Sequence, residues 1–202
     1  MSLHEAPPPN PRAKERRVTS RKDADFWITP AWATEALLER ELFPNLIWEC
    51  ACGEGAMARV LGRRYGVEAT DLHDRGFGKG GVDFLLEQQM IQVQDGPRTS
   101  AIVTNPPFSL ASEFIAHAHK LGPRKIAMFG PIGLLAGQER GRFYEAHPWS
   151  RIWVFSRRVT LLAGALASEG VNEAPADMRG ATNFAWFVWE RNHPPAPVGF
   201  IQ

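Results

Sequence analysis

The chain has 202 residues, 44% hydrophobic and 22% charged, with a formal net charge of +1. That length suits one domain with a substantial core, and the composition is that of an ordinary globular protein. No apolar run approaches the roughly 20 residues that cross a bilayer, and the N-terminus, MSLHEAPPPNPRAKERR, lacks an apolar signal core; no membrane partner and a cytoplasmic location are expected.

Residues 1–24 hold Pro7-Pro8-Pro9 and then Arg12, Lys14, Arg16, Arg17, Arg21 and Lys22. Low hydrophobicity and clustered charge predict a disordered or loosely attached basic tail, either merely solvated or touching phosphates. Residues 25–202 are expected to form a single domain. Order begins at Phe26-Trp27-Ile28-Thr29-Pro30, where Thr29 can cap a helix and Pro30 suits its first turn. Trp32, Ala33, Ala36, Leu37 and Leu38 follow at helical spacing. Residues 46–50 read as a buried strand that enters Ala51-Cys52-Gly53-Glu54-Gly55, and Met57, Val60 and Leu61 mark a second helix. Further strands are predicted at 67–70, 82–85, 101–104, 125–129, 151–155, 184–189 and 198–201, with a helix at 110–121. Strands alternating with helices predict an α/β fold with an open, mostly parallel sheet covered on both faces.

In such sheets ligands bind outside the carboxyl ends of the strands. Gly53 and Gly55 allow a sharp bend and a close approach of backbone to ligand. Glu49 and Glu54 would repel a phosphate and tolerate a cation such as an ammonium or a sulfonium. Cys50 and Cys52 are the only cysteines; they stand too close for an unstrained disulfide, and two thiols make no zinc site. No metal centre is expected, and a reducing compartment fits. Asp71, at the end of the next strand, can accept hydrogen bonds from two ribose hydroxyls. Asp83 can accept from an adenine amino group, and Phe84 can stack on the ring. In order, these three strand ends describe a nucleoside site with a positively charged tail.

Asn105-Pro106-Pro107-Phe108 ends the following strand, on the same rim. With this tetrapeptide the sequence resembles the Rossmann-like S-adenosylmethionine (SAM)-dependent amino-methyltransferases, especially the DNA adenine-N6 methyltransferases of bacteria and phages. The resemblance implies a Rossmann-like fold with an antiparallel strand near the C-terminus, and SAM as cofactor. It makes Asn105, Pro106, Pro107 and Phe108 the catalytic motif, with Asn105 also bordering the cofactor. Glu49, Cys50, Ala51, Cys52, Gly53 and Gly55 are similar to the cofactor motif. Asp71, with the adjoining Leu72, matches the ribose-binding acid, and Asp83-Phe84 the adenine-binding pair. Trp27, Thr29 and Pro30 fall in the upstream motif whose Thr region meets the SAM carboxylate.

The chemistry fits those residue types. An adenine amine is a poor nucleophile because its lone pair is delocalised into the ring. The Asn105 side-chain carbonyl and the Pro106 main-chain carbonyl can each accept one N–H, favouring a tetrahedral nitrogen and stabilising developing positive charge. The prolines hold φ, so the carbonyl is preorganised. Phe108 offers a stacking face, and a base in duplex DNA must be flipped out to reach it. Similar tetrapeptides occur in enzymes that methylate guanine N2 in ribosomal RNA and glutamine amides in proteins, so an RNA (guanine N2 or adenine N6) or protein substrate stays open. A non-catalytic nucleic-acid-binding subunit of the same fold is the competing class.

Residues 130–140, 156–159 and 184–191 resemble the downstream part of phage-type adenine enzymes, which favours DNA. Arg140, Arg142, Arg157 and Arg158 are candidates for phosphate contact. Family members usually carry a target-recognition domain after the catalytic half, and almost nothing follows Arg191 here. A loop at 161–182 and residues 134–144 would have to read the base, which implies relaxed specificity or a partner that supplies it. His117 and His119, two apart on a helix, read as surface residues.

Overall fold

The computed structural model describes residues 26–92, 96–164, 182–195 and 198–201. The expected basic tail at 1–24 and residues 165–181 of the expected loop lie outside the described residues. In chain order the elements are β1 (Trp27–Ile28), α1 (Ala31–Leu38), β2 (Leu46–Glu49), α2 (Ala56–Leu61), β3 (Gly66–Ala69), β4 (Ala101–Thr104), α3 (Ala111–Leu121), β5 (Lys125–Pro131), α4 (Gln138–Ala146), β6 (Arg151–Phe155), β7 (Leu162–Ala163), β8 (Phe184–Glu190) and β9 (Val198–Ile201).

Seven strands form one sheet in the order β3-β2-β4-β5-β8-β6-β9. β8 runs antiparallel to β5 and β6, and the other pairs are parallel. Successive strand residues point to opposite faces, so near-continuous apolar strands need cover on both sides. Ile47, Ala101, Val103, Ala127, Phe129, Trp186 and Val188 face α1 and α2, which contribute Ala33, Leu37, Val60 and Leu61. Trp48, Ile102, Ile126, Met128, Ala185 and Phe187 face the other way, onto Phe114, Ile115 and Ala118 of α3 and Tyr144 of α4. In α3 the buried Ala111, Phe114, Ile115 and Ala118 recur at helical spacing, and Gly122 ends the helix in the left-handed region at φ 66°. β1 and β7 form a separate antiparallel ribbon.

Three local expectations are corrected. Pro30, not Thr29, precedes α1, and no side chain caps that helix; the Thr29 hydroxyl is engaged in the site instead. The strand expected at 82–85 does not form. The chain folds back on the end of β3, where Asp71 N–H donates to Lys79 O and Val82 N–H donates to Asp71 O, each at 3.0 Å. A single 3-10 turn, Phe84–Leu86, follows, with the Asp83 carboxylate accepting from Leu85 N–H at 3.0 Å. His117 and His119 are half-buried rather than on the surface. His117 Nε2 bonds Glu87 O at 2.9 Å, and His119 lies among Phe143, His147 and Trp189. Burial, helped by His147, holds the His119 imidazole down to about 4.

The sheet edge opposite the strands' carboxyl ends carries a buried ion cluster. Glu41, 3% exposed, lies between α1 and β2. Its carboxylate receives Lys125 Nζ at 2.6 Å, Arg151 Nε at 2.5 Å, Arg151 Nη2 at 2.8 Å and Trp153 Nε1 at 2.7 Å. Glu190, at the end of β8, takes a second bond from Arg151 and lies 3.4 Å from Lys125. Two anions and two cations therefore tie the α1–β2 connection to the first residues of β5 and β6 and the last of β8. Burial pushes the Glu41 carboxyl up, but the bonds from Arg151, Lys125 and Trp153 outweigh it and hold it below the ordinary range.

Glu41→Gln is expected to cost about 3–5 kcal/mol at neutral pH, because two buried cations lose their shared carboxylate; urea unfolding checks this. A folded-state pKa below the unfolded one gives stability that is present above the unfolded value and lost as pH falls through the folded value. The difference between wild type and variant is expected to shrink on acidification.

Candidate functional site

The parallel strands β2, β4 and β5 present their carboxyl ends on one rim. Beside β2 the chain order diverges, with β3 on one side and β4 on the other. A crevice opens where connections leave in opposite directions. The cavity there is lined by residues 26–29, 49–52, 71–73, 82–85 and 105–107, with Glu54, Ala56, Met57, Arg75, Leu110 and Phe114.

Asn105 stands just past β4. Its side-chain Nδ2 donates to Trp27 O at 2.9 Å and to Thr29 Oγ1 at 3.0 Å. A backbone carbonyl only accepts, so the amide can face it only with its nitrogen. This orients Oδ1, which is buried and has no partner. A buried acceptor left unmet costs free energy, so this atom is a candidate for a ligand donor.

The glycine turn owes its shape to three contacts. Gly53 and Gly55 adopt φ of 54° and 82°, conformations that side-chain-bearing residues rarely take. Gly53 N–H donates to Asp71 Oδ2 at 2.8 Å, while His73 N–H donates to Oδ1 at 2.8 Å. A Cβ on Gly53 would come within 2.3 Å of the Phe26 ring, and one on Gly55 within 2.4 Å of the Phe77 ring. The sharp bend was legible in the sequence; the groups that approach these glycines closely are the protein's own rings. Neither glycine is among the cavity-lining residues, nor is Pro30. Asp71 lines the cavity and braces the turn, and each of its oxygens retains further acceptor capacity. Leu72 lies beside it, 53% exposed at the mouth.

Glu49 is fully desolvated at the cavity wall, and its Oε2 has no partner. Burial pushes its carboxyl well above the ordinary carboxylate range; a backbone N–H from Ala58 offsets part of this, and the nearby Asp71 adds to it. Burial likewise raises both lining thiols, Cys52 to about 12. They stay protonated at neutral pH and are apolar wall rather than nucleophiles.

Other predicted residues fall elsewhere. Phe108 does not line the cavity; its ring lies 5.7 Å from Phe184, which stacks on Phe129 at 5.2 Å. Phe84 lies at the wall, but its ring is 2% exposed and packed on Trp48, Phe114 and His117. Arg140 is tied to its own loop, donating to Ala136 O at 2.6 Å and Gly133 O at 3.4 Å. The Arg157 guanidinium sits 3.5 Å over the Trp32 ring. Arg142 and Arg158 are exposed. Glu54, which the sequence placed beside the ligand as a cation-tolerating acid, does line the cavity. Sequence reasoning missed Arg75, Leu110 and Phe114 as lining residues, because they reach the cavity through tertiary folding.

No protein-family model and no curated protein matches the chain. Solved structures do resemble it. A modification subunit of a proposed type I restriction enzyme from Vibrio vulnificus is 13% identical with a TM-score of 0.53, over 91% of this chain and 49% of that one. This chain thus spans about half the length of that subunit. Thermoplasma acidophilum protein 1320 is 15% identical with a TM-score of 0.53, over 79% and 83% of the two chains. A predicted O-methyltransferase from Agrobacterium tumefaciens is 14% identical with a TM-score of 0.50, over 85% and 84%. At such identities the likeness concerns architecture. With its parallel strands, helices on both faces and antiparallel β8, the chain has the Rossmann-like methyltransferase fold.

Proposed function

We propose that this chain transfers a methyl group from SAM to the exocyclic N6 amine of adenine in DNA, acting on a base turned out of the duplex. The observation that carries this reading is the unmet, buried Oδ1 of Asn105, held by an amide nitrogen that is already engaged. An acceptor fixed in this way can draw one N–H of an amine and bring its lone pair out of conjugation. It also stabilises the positive charge that grows on nitrogen. SAM supplies an electrophilic methyl on a sulfonium.

The lining suits a cation. Glu49, Glu54, Asp71 and Asp83 all border the cavity, and Glu49 Oε2 lacks a partner there. Pro106 and Pro107 stiffen the segment after Asn105. With Phe108 packed on Phe184, stacking on the base falls to Pro107 and Leu110, which do line the cavity. A DNA substrate is in keeping with the fold shared with a modification subunit of a proposed type I restriction enzyme.

Labelled SAM offered to duplex DNA, RNA and protein is expected to yield N6-methyladenine in DNA by mass spectrometry; N2-methylguanine or methylglutamine would overturn the substrate. Asn105→Ala is expected to lower kcat about 10²–10³-fold. Thr29→Ala, which removes one tether of the amide and leaves Oδ1, should lower it less than about 10-fold, by the same reasoning.

The raised Glu49 pKa gives a second expectation. Its folded-state value exceeds the unfolded one, so it lowers stability as pH rises from the ordinary carboxyl range through the raised value. Glu49→Gln should remove that slope, up to about 1.4 kcal/mol per pH unit, in melts of the ligand-free protein. A cation entering beside Glu49 favours the carboxylate, so SAM binding should release a proton that the variant does not release. Calorimetry in buffers of different ionisation enthalpy measures this.

A further inference from the structure

We propose that the indole of Trp27 is the platform on which the target base stacks; this rests on reading the substrate as a nucleobase. Four Phe and Trp side chains line the cavity, namely Phe26, Trp27, Phe84 and Phe114. Three of them are engaged. The Arg75 guanidinium lies 3.9 Å over the Phe26 ring, which is wedged against Gly53. Phe84 and Phe114 pack on each other with ring centroids 4.8 Å apart, and they are 2% and 7% exposed. Trp27 is half-buried and rests against the core on the side of α1 and α2. Among the described residues its indole meets no aromatic ring, no cation and no hydrogen-bond acceptor. Its partner across the β1–β7 ribbon is Ala163, which places only a methyl on the same face.

Its place ties Trp27 to the amine. The motif resemblance put this residue with the cofactor, but its carbonyl accepts Asn105 Nδ2 at 2.9 Å and so sets the direction of Oδ1. An amine that donates to Oδ1 therefore lies beside Trp27, and the ring that carries the amine comes within reach of the indole. Asp71 and Asp83, the acids that suit a nucleoside, belong to the end of β3 and the loop beyond it. Phe108, the aromatic of the tetrapeptide, is packed on Phe184, and Pro107 and Leu110 have no π face. An indole offers a wide one to any base. Stacking fixes the plane of the base. Its N–H, which lies in that plane, is then aimed at Oδ1, and the lone pair emerges perpendicular to it. The ribbon pairs Trp27 with Ala163 and Ile28 with Leu162, so the platform is held before the substrate arrives. A glutamine amide has no ring to stack, so an indole at this point favours a nucleobase over a protein substrate.

The test measures SAM affinity by calorimetry and kcat/KM for labelled methyl transfer to unmethylated duplex DNA. The full chain is used as wild type, Trp27→Leu and Trp27→Phe. Trp27→Leu keeps apolar bulk without a π face; it is expected to lower kcat/KM about 10–100-fold and to change SAM affinity by less than about 3-fold. Trp27→Phe keeps a ring and should stay within about 5-fold of wild type. Equal losses in the two variants would mean that Trp27 only fills space against the core. SAM affinity that falls in step with kcat/KM would make it a cofactor contact. Either result, or an unchanged kcat/KM in Trp27→Leu, would overturn the assignment, while DNA methylation by wild type would stand. A wild type that methylates RNA instead would remove the DNA reading, and the same comparison on RNA would then decide for or against Trp27. Methylation of neither nucleic acid would remove the nucleobase reading and this one together.

Discussion

The side-chain amide of Asn105 spans the gap between the end of β4 and the segment that precedes α1. Its nitrogen bonds Trp27 O and Thr29 Oγ1, residues more than seventy positions earlier in the chain. That closes β1 over the glycine turn and gives the cavity one of its walls. The same pair of bonds leaves the amide no freedom to rotate, so Oδ1 is presented as an acceptor without further ordering. The tether and the unmet acceptor belong to one side chain, so removing the whole residue removes both.

The rest of the rim is arranged around this closure. Once β1 is held down, Phe26 seats on Gly53, and Phe77 seats on Gly55 from the other side. Arg75 and Arg59 lie over the outer faces of those rings, at 3.9 and 4.5 Å. The turn between β2 and α2 is therefore clamped by ring contacts on both glycines and by the Asp71 carboxylate from below. Such clamping explains how a buried Glu49 with an unmet oxygen persists: the surroundings are too constrained to relax around it. At the opposite edge the charges are matched, with Glu41 and Glu190 facing Lys125 and Arg151. Asn105 Oδ1 and Glu49 Oε2 are unmet at the cavity, and Thr34 Oγ1 and His119 Nε2 are unmet outside its lining.

Much of the sheet was legible because its strands are short apolar runs bounded by turn residues, and because α3 repeats its apolar residues with helical spacing. The segment at 82–85 was misread as a strand. Its apolar character is real, but backbone bonds to the end of β3 turn the chain back, and Asp83 caps a 3-10 turn instead of extending a ladder. Thr29 looked like a helix cap since Thr-Pro before an apolar run suits one; a distant amide competes for its oxygen. Phe84 and Phe108 looked like stacking platforms. Both have aromatic neighbours that only folding supplies, and both rings pack against those neighbours. Arg140 and Arg157 show the same for charge: an arginine near the rim in sequence is engaged by a carbonyl or a ring in space.

The sequence by itself determined the alternation of strand and helix, the position of the acid-and-glycine turn, and the rim on which Asn105 must fall. These depend on spacing along the chain and on backbone geometry, which are local. Only the tertiary structure decided which atoms are free to act. The amide of Asn105 could point either way until Trp27 O faced it. The two glycines could have admitted a ligand until Phe26 and Phe77 were found against them. Arg75 comes to the cavity wall only because the loop after β3 folds back over the turn. Partners that lie far apart in the chain set each of these outcomes, since hydrogen bonds and ring contacts require atoms a few ångströms apart and sequence distance does not measure that.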